Sequence, residues 1–258
     1  MTQIICIANQ KGGVGKTTTA VNLSAALGLL NKKTLLVDCD PQGNATSGLG
    51  LDKTGIEKTL YHGLIGKAVA EDVIVRSYMN TLKIIPSRTE LAEFELKMTA
   101  DPEREKILLR FLSELTDFFE YIIIDCPPSL SLLTINAMTA SDSVLIPLQC
   151  EFYALEGLGQ LVETMKRIRS SLNAKLKFSG ILLTMFDQRI KLSGQIAENA
   201  KKYFKHLVFD TIIPRNVRLG EAPSFGKTIF QHDANSIGAK SYAALANELI
   251  YRESGIEN

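Results

Sequence analysis

Two lysines, Lys11 and Lys16, enclose a glycine-rich stretch of the sequence that reads KGGVGKTT at positions 11–18. Closely spaced glycines free backbone N–H groups that can surround phosphate oxygens, particularly where the stretch leads into the N-terminus of a helix. Lys16 would then reach the β- and γ-phosphates of a nucleotide, and the hydroxyl of Thr17 would coordinate Mg²⁺. These residue types and their spacing predict a phosphate-binding loop. Such a loop needs one lysine, so Lys11 requires a separate explanation.

The stretch departs from the strict phosphate-loop pattern G-x-x-x-x-G-K-[ST], because Gln10 occupies the first glycine position. It nevertheless lies between a predicted strand at 3–8 and a predicted helix at 17–30, which is the context that a phosphate loop requires. The residues of the loop that are predicted to contact the nucleotide are Lys11, Gly12, Gly13, Val14, Gly15, Lys16, Thr17 and Thr18.

Three carboxylates stand at or just after the ends of predicted strands. Asp38 ends the segment 34–38 and Asp40 follows it, while Asp125 ends the apolar run YIIID at 121–125. In open α/β sheets, ligands bind beyond the carboxyl ends of the strands, so these side chains fall where a ligand is expected. A carboxylate at such a position can hold a Mg²⁺-bound water, and Asp125 is therefore predicted to complete the metal site begun by Thr17.

The elements that must position these groups follow an α/β pattern. Apolar, β-branched segments predict strands at 3–8, 34–38, 82–86, 121–125, 143–147, 178–184 and 208–214. Helical patterns lie between them, at 17–30, 102–119, 130–140, 154–172, 192–203 and 237–252. No internal repeat, low-complexity tract or linker interrupts this alternation. The sequence therefore predicts a single domain over residues 1–258, with the doubly wound, mostly parallel sheet of a P-loop NTPase.

Composition excludes several classes of protein. The chain has 258 residues, 45% of them hydrophobic, which is enough to form the core of one large α/β domain. It contains no 18-residue apolar run and no targeting pattern at its start, so a soluble intracellular protein is expected. The four cysteines form no C-x-x-C pair and lie in or beside predicted strands, which favours buried free thiols over disulfides or metal ligands; they are Cys6, Cys39, Cys126 and Cys150.

The net charge of +1 conceals an uneven distribution. Residues 166–227 hold 13 Lys and Arg against 4 Asp and Glu, whereas residues 1–150 hold 14 against 17. Such a basic segment is either a set of solvated helix faces or a surface for a polyanion. Charge alone leaves both interpretations open.

Five segments closely resemble the ParA/Soj family, the chromosome- and plasmid-partitioning ATPases with a deviant Walker A motif. They are KGGVGKTT (11–18), DCDPQGNATSGLG (38–50), DCPPSLSLLTINAMTASD (125–142), YALEGL (153–158) and IPRNVRLGEAPSFGKTI (213–229). The similarity runs from Ile4 to about Ala246. It implies an ATPase that uses ATP and Mg²⁺. It also gives Lys11 the role of the family's signature lysine, which reaches across an ATP-sandwiched homodimer to the partner subunit's nucleotide.

The resemblance assigns further residues of the nucleotide site. It gives Asp40 the task of orienting or activating the attacking water, and it makes Asp38 a supporting or switch residue. The glycine-rich, polar segment 43–50 is typical of a mobile switch. Pro214 would pack on the adenine ring, and Asn216 would offer it hydrogen bonds. Because no N-K-x-D guanine motif is present, ATP is expected to be preferred over GTP.

The resemblance also implies two macromolecular partners, non-specific duplex DNA and a ParB-like centromere-binding protein that stimulates hydrolysis. For DNA it points to Arg189 and Arg218, and we add Lys191 and Lys227 from the same basic segment. Within this family the basic segment is therefore interpreted as a DNA-binding patch. The resulting expectation is a cytoplasmic, nucleoid-associated protein that does not bind membranes.

Three other kinds of protein with the same loop fit this sequence less well. A MinD-type membrane-associated positioning ATPase ends in a basic amphipathic helix, whereas LIYRESGIEN at 249–258 has one Arg and two Glu. A nitrogenase-reductase-like electron carrier needs two cysteines per subunit for a shared iron–sulfur cluster, and no second cysteine matches Cys126. A bacterial tyrosine kinase would carry a tyrosine-rich tail, which this sequence lacks.

Overall fold

Seven β-strands form one sheet in the computed structural model, which describes residues 2–151 and 154–254. The strands are β1 (Gln3–Ile7), β2 (Thr34–Asp38), β3 (Val75–Arg76), β4 (Leu82–Ile85), β5 (Tyr121–Asp125), β6 (Ser143–Gln149) and β7 (Lys177–Thr184). Their order across the sheet is β3-β4-β2-β5-β1-β6-β7, and every pair is parallel except β3 with β4. The predicted fold class, a single α/β domain with a mostly parallel sheet, is confirmed.

Helices connect the strands and cover both faces of the sheet. In the described part of the chain they are α1 (Lys16–Leu29), α2 (Asn44–Gly48), α3 (Leu60–Leu64), α4 (Phe94–Lys97), α5 (Ile107–Ser113), α6 (Leu132–Ala140), α7 (Ala154–Ser171), α8 (Lys191–Phe204), α9 (Val217–Glu221), α10 (Ile229–His232) and α11 (Ile237–Glu253). None of the described helices is long and apolar enough to span a membrane.

Two hydrophobic cores lie on opposite faces of the sheet, because successive side chains of a strand point to opposite sides. On β1, Ile4 and Cys6 belong to one core, whereas Ile5 and Ile7 belong to the other. The first core packs against α3 to α8, and the second packs against α1, α2 and α9 to α11. Coverage on both faces explains why the strand sequences are apolar throughout instead of alternating.

Helix α1 fixes the position of the phosphate loop that precedes it. It begins at Lys16, directly after the loop, and is buried over most of its length against the sheet and α11. Its sequence, KTTTAVNLSAALGL, is rich in Ala, Ser and Thr, and such small side chains allow close approach on both sides. The first turn of the helix is therefore held rigidly at the carboxyl edge of the sheet.

The strand predicted at 208–214 is wrong. The segment contacts β7 and the residues after it irregularly, through isolated bridges of Ile181 with Val208 and of Phe186 with Pro214. The Ile213 N–H also donates to the Leu183 carbonyl of β7 at 2.9 Å. Between these bridges, the backbone N–H groups of residues 210 and 211 donate to the side-chain carboxylate of Glu248 at 2.8 Å each. These two donors are therefore not available to continue a ladder with β7, and the segment remains irregular.

The helix predicted at 102–119 is wrong in its extent, because the α-helix covers only Ile107–Ser113 after a 3-10 turn at Arg104–Lys106. Asn136 of α6 fixes the start of this shorter helix. Its side-chain oxygen accepts from the Leu108 N–H at 3.1 Å, and its amide donates to the Arg104 carbonyl at 2.8 Å. The structure also adds β3, an edge strand of two residues that is too short to produce a sequence pattern.

The four cysteines are free and buried, as predicted from the sequence. The sulfurs of Cys6, on β1, and Cys126, directly after β5, lie 3.2 Å apart in a thiol–thiol hydrogen bond. Two sequence motifs, YALEGL at 153–158 and LIYRESGIEN at 249–258, extend outside the described residues. YALEGL begins at Tyr153, and the side chains of residues 154–156 are not described either. The final residues of the chain, 255–258, also lie outside the described part.

Candidate functional site

The glycine-rich stretch forms the turn between β1 and α1 at the carboxyl edge of the sheet. Gly13 and Gly15 adopt φ values of +77° and +89°, in the left-handed region where a side chain would be strained. Because β1 lies between β5 and β6, the turn is flanked by the carboxyl ends of both strands. Its backbone N–H groups and the N-terminus of the 14-residue helix α1 form a site suited to an anion.

Two side chains that sequence reasoning missed hold this turn in place. Asn9 is buried; its amide donates to the Pro147 carbonyl at 2.7 Å, and its oxygen accepts from the Lys11 N–H at 3.0 Å. On the other side, the Thr184 hydroxyl donates to the Val14 carbonyl at 2.9 Å. The loop is thus fastened to β6 and β7. The only sequence signal is that Asn9 and Thr184 each stand at or beside the end of a strand.

Lys16 points into the loop. Its side chain is buried, and its ammonium donates to the Lys11 carbonyl at 2.9 Å. Burial lowers the pKa of Lys16, while the neighbouring carboxylates of Asp125 and Asp40 oppose this shift. The cation therefore lies between the loop and the carboxylates at the strand ends, where it can counter the charge of a β- or γ-phosphate.

Asp125 lies at the bottom of the site, directly opposite Asp38 in the register of β5 and β2. Both of its carboxylate oxygens are buried, and neither has a hydrogen-bond partner within the described residues. Burial and the charge of Asp38 raise the pKa of Asp125 well above its ordinary value. The Thr17 hydroxyl approaches closely enough to oppose this rise, although its geometry falls short of a full hydrogen bond.

The unsatisfied carboxylate of Asp125 fits a hydrated Mg²⁺ held with the Thr17 hydroxyl. Mg²⁺ prefers oxygen ligands and keeps several of its waters, so it needs few protein groups when phosphate oxygens supply the rest. No cluster of three or more His, Cys, Asp or Glu side chains that could hold a metal ion occurs in the described part of the chain. A divalent cation near Asp125 would also offset the cost of burying its charge.

Asp38 has a supporting position. One of its oxygens accepts from the Thr46 N–H and the Thr46 hydroxyl, both at 2.7 Å, and the other accepts from the Asp40 N–H at 3.3 Å. The Thr46 hydroxyl in turn accepts from the Ser87 N–H at 3.0 Å. Burial raises the pKa of Asp38 to about 6, although these donors oppose the shift. Asp38 therefore ties helix α2 to the end of β2.

Asp40 differs from Asp38 in having few partners of this kind. Its side chain is 7% exposed, and one oxygen accepts from the Gln42 N–H at 2.9 Å. It follows β2 and precedes α2, and its charge acts on the buried ammonium of Lys16. A carboxylate so placed can orient a water molecule beside the terminal phosphate.

A pocket lies beside the loop, where the sequence predicted the adenine contact. It encloses about 200 Å³ and is lined by residues from the loop, the end of β7 and the segment before α9; among them are Gly15, Thr18, Met185, Pro214 and Asn216. The Asn216 oxygen accepts from the Arg218 N–H at 2.9 Å as the N-cap of α9. The amide group of Asn216 is the part of this side chain that can reach a base, and Pro214 supplies an apolar surface.

Lys11 lies at the rim of the site, unlike Lys16. Its side chain is 42% exposed, and its ammonium contacts the carboxylate of Glu151, just after β6. Since the Lys11 carbonyl already binds the Lys16 ammonium, the backbone of Lys11 belongs to the loop while its side chain leaves it. The structure therefore separates the two lysines by location, with one inside the site and one on its outer surface.

The basic residues of segment 166–227 do not form one face. Helices α7 and α8 pack on the first core, whereas α9 packs on the second through Leu219. Arg189 and the start of α9 are nevertheless brought together at the carboxyl edge, because Phe186 and Pro214 form a bridge and the Arg215 N–H donates to the Phe186 carbonyl at 2.9 Å. Arg215 is a basic neighbour that sequence reasoning did not single out.

Both predicted DNA-contacting arginines have acidic partners in the same chain. Arg189 binds the carboxylate of Asp187 through two nitrogens, at 2.9 and 2.7 Å, and holds its pKa at about 2. Arg218 pairs with Glu221 at 2.9 Å and with Asp233 at 3.6 Å. Lys191 begins α8, and Lys227 lies in a cleft that also contains Thr17. The Arg218 pairs are exposed and therefore weak, so a phosphate could displace their carboxylates. The bidentate pair of Arg189 with Asp187, whose side chain is 10% exposed, is the firmer one.

Comparisons with known proteins agree with this geometry. A family model described as an AAA domain matches residues 2–178. The chain is 53% identical to the sporulation initiation inhibitor protein Soj of Bacillus subtilis, over 96% of this chain and 98% of that protein. It is 50% identical to the chromosome partitioning protein ParA of Myxococcus xanthus, over 98% of this chain and 89% of that protein.

Solved structures share the fold over nearly the whole chain. A cobyrinic acid a,c-diamide synthase from Mycobacterium smegmatis with bound ADP and magnesium has a TM-score of 0.87 at 34% identity, over 99% of this chain and 97% of that one. The septum site-determining protein MinD from Pyrococcus horikoshii, complexed with Mg-ADP, has a TM-score of 0.82 at 29% identity, over 99% and 98%. Since these two are described by different activities, the fold alone does not select a function.

Proposed function

Because the chain belongs to the ParA/Soj family of chromosome-partitioning proteins, we propose that it is an ATP-dependent DNA-partitioning switch. In the ATP state, two subunits form a sandwich dimer that binds duplex DNA without sequence preference on the nucleoid. Hydrolysis, weak by itself and stimulated by a ParB-like protein at a centromere, separates the subunits and releases the DNA. The observation that carries this proposal is the location of the two loop lysines, with Lys16 buried and Lys11 exposed at the rim.

ATP and Mg²⁺ are the cofactors of this switch. Support comes from the glycine-rich turn at the N-terminus of α1, the orphaned carboxylate of Asp125 and the base pocket at Pro214. It also comes from the Mycobacterium smegmatis relative, whose structure holds ADP and magnesium. Mg²⁺, when bound, neutralises phosphate charge during the transfer. Thr17 and, through a water, Asp125 are the residues that would hold it.

The protein's own groups act by position and charge. Lys16 counters the charge of the β/γ-phosphates, and the loop N–H groups fix their oxygens. Asp40 orients the attacking water and accepts its proton, while the water oxygen bonds to the γ-phosphorus and the bond to the bridging oxygen breaks to release ADP and phosphate. The contacts of Asp38 with Thr46 hold α2, and with it the segment that carries Asp40. These roles require no covalent intermediate with the protein.

Lys11 makes assembly depend on nucleotide. An exposed ammonium at the rim is able to reach a phosphate on a second subunit, and it is satisfied there only when both subunits hold ATP. Within one subunit its partner is Glu151, a half-exposed pair that contributes about 0–1 kcal/mol to stability. The intramolecular pair is therefore easily exchanged for an intersubunit contact.

We expect substitution of Lys11 by Ala to prevent the dimer while leaving nucleotide binding by the monomer largely intact. The reason is that the removed ammonium lies outside the subunit's own phosphate site, whereas Lys16 lies within it. Sedimentation of the parent and the variant with ADP and with ATP measures assembly, and a fluorescent ATP analogue measures binding. Gly12→Val should give the same result by adding bulk where two loops approach closely, although Gly12 has open space in the monomer.

The result that contradicts this role is a loss of nucleotide affinity in proportion to the loss of dimer. Lys11 would then serve the phosphates of its own subunit. Dimer formation at the parental ATP concentration would equally reject the intersubunit role.

DNA binding is proposed for the ATP dimer through Arg189 and Arg218, with Lys191 and Lys227 nearby. One subunit offers few phosphate contacts, and the dimer doubles them by two-fold symmetry, which releases more counterions and steepens the salt dependence. The carboxylates that pair with these arginines must be displaced on binding, so a single subunit should bind DNA only weakly.

Arg218→Glu should abolish or strongly weaken binding of the ATP dimer to random duplex DNA. Each lost phosphate contact lowers the slope of log affinity against log salt by about 0.9, so a symmetric dimer should lose about twice that value. Titrations at several salt concentrations measure both quantities. Dimerisation with ATP should be preserved, since the Arg218 side chain is exposed and does not line the pocket that Gly15 and Thr18 share with α9.

A matched control is Arg110→Glu. The Arg110 side chain is as exposed as that of Arg218, 56% in each case, and also has an acidic neighbour, but it lies on α5 over the other face of the sheet. Its affinity and salt slope should equal those of the parent. If Arg218→Glu had the same DNA affinity and salt slope as this control, α9 would not be part of the DNA-binding surface.

A further inference from the structure

Two glycines bring the switch segment and the basic segment into backbone contact. Gly50, φ +78°, follows α2, and Gly226, φ +61°, follows the 3-10 turn Ala222–Phe225. A Cβ placed on Gly226 would lie 2.7 Å from the Gly50 Cα, and a Cβ on Gly50 would lie 2.6 Å from the Gly226 carbonyl oxygen. Neither distance is possible for a real side chain, so both positions need glycine for space as well as for φ.

On the Gly50 side, hydrogen bonds through α2 connect this contact to the carboxylates of Asp38 and Asp40. Gly50 donates its N–H to the Ser47 carbonyl at 2.9 Å, at the end of α2. The same helix carries Thr46, whose hydroxyl and N–H bind Asp38. Asp38 also accepts from the N–H of Asp40. A short set of hydrogen bonds therefore connects Asp38 and Asp40 with Gly50.

On the Gly226 side, the contact belongs to the turn that precedes the basic residue Lys227. Gly226 and Lys227 close the turn by donating to the carbonyls of Pro223 and Ala222, at 3.0 and 3.1 Å. Beyond them, the Ile229 N–H donates to the side chain of Asn22 on α1 at 2.8 Å. The segment 222–229 is thus anchored at its end by α1 and abuts α2 at Gly226.

Space exists for the two sides to move relative to each other. A cleft of about 370 Å³ lies between α1, α2 and the turn at 222–225, and its lining includes Thr17, Asn44, Ser47, Ser224 and Lys227. Thr17 is the proposed Mg²⁺ ligand, and Lys227 is a proposed DNA contact. The cleft therefore lies between the phosphate site and the basic surface.

We propose that the Gly50–Gly226 contact couples the nucleotide state of the phosphate site to the position of segment 222–229. Nucleotide that draws the Asp38–Asp40 segment inward moves α2, and direct backbone contact obliges residues 222–229 to follow. Gly50 and Gly226 are positioning residues, since neither is among the residues proposed to bind nucleotide or DNA. The consequence for DNA affinity rests on the proposed function, whereas the coupling itself does not.

The variant Gly226→Ala tests the contact, with Gly66→Ala as its matched control. Gly66 also has a left-handed φ of +72°, but a Cβ there meets nothing within 4 Å. The control variant therefore has the same backbone strain, but its new Cβ pushes no neighbouring segment away. Gly226→Ala should dimerise with ATP as the control does and bind random duplex DNA about tenfold more weakly, a typical effect of perturbing a coupling element. Equal DNA affinities of the two variants would overturn the proposal, and so would loss of dimerisation.

Amide hydrogen exchange of the parent protein tests the coupling without any variant and without DNA. The N–H groups of Gly226, Lys227 and Ile229 should exchange at different rates with ATP analogue and Mg²⁺ than with ADP. Unchanged exchange throughout 222–229, alongside changed exchange in 38–50, would overturn the proposal even if Gly226→Ala proved unstable. A parent that failed to bind DNA in either nucleotide state would instead reject the proposed function, and the exchange result would still decide the coupling.

Discussion

Replacing Asp40 by Ala should trap the ATP dimer, with binding and assembly retained and hydrolysis slowed about 100-fold or more, the usual cost of losing a water-positioning group. The expectation rests on position. Asp40 is buried, close enough for its charge to act on the Lys16 ammonium, and within the described residues its side chain accepts from one backbone donor, the Gln42 N–H. Single-turnover hydrolysis and sedimentation with ATP measure the two properties separately.

Asp40→Asn is the matched variant for this test. Its amide oxygen still accepts from the Gln42 N–H, so the local turn keeps its hydrogen bond while the charge is removed. If the charge orients and activates the water, the Asn and Ala variants should be similarly slow. If Asp40→Asn hydrolysed ATP at the parental rate, the carboxylate would have only a structural role in the turn before α2.

Replacing Lys16 by Ala should abolish both ATP-dependent dimerisation and hydrolysis. Lys16 is the buried cation between the loop and the carboxylates of Asp125 and Asp40, so its loss leaves negative charge in the site with no nearby counterpart. Equilibrium titration with a fluorescent ATP analogue measures nucleotide binding, sedimentation measures dimerisation, and phosphate release measures hydrolysis. The effect should exceed that of Lys11→Ala, which spares binding by the monomer.

A suitable control for the charge change is Lys32→Ala. Lys32 precedes β2 at the opposite, amino edge of the sheet, where its ammonium pairs with Glu120 at 3.0 Å. This variant should bind ATP and dimerise like the parent. ATP-driven dimerisation by Lys16→Ala at parental nucleotide concentrations would reject the assignment of the phosphate site.

Local patterns in the sequence predicted much of the fold, because buried parallel strands and amphipathic helices leave their periods in the residues themselves. Six of the seven predicted strands correspond to strands in the structure. The seventh, at 208–214, failed because a distant side chain, Glu248, takes two of its backbone donors. The helix at 102–119 failed for a similar reason, since Asn136 decides where α5 begins. Contacts between segments far apart in the chain leave no local period.

By itself the sequence determined the glycine-rich turn, the carboxylates at the strand ends and the family to which they belong. Each follows from residue type and spacing within a short stretch, where the backbone geometry of glycine and the end of an apolar run are local properties. The tertiary structure alone decided that Lys16 is inside and Lys11 outside, that Asn9 and Thr184 fasten the loop, and that Gly50 touches Gly226. These depend on which strands become neighbours, and burial and distance exist only once the sheet has formed.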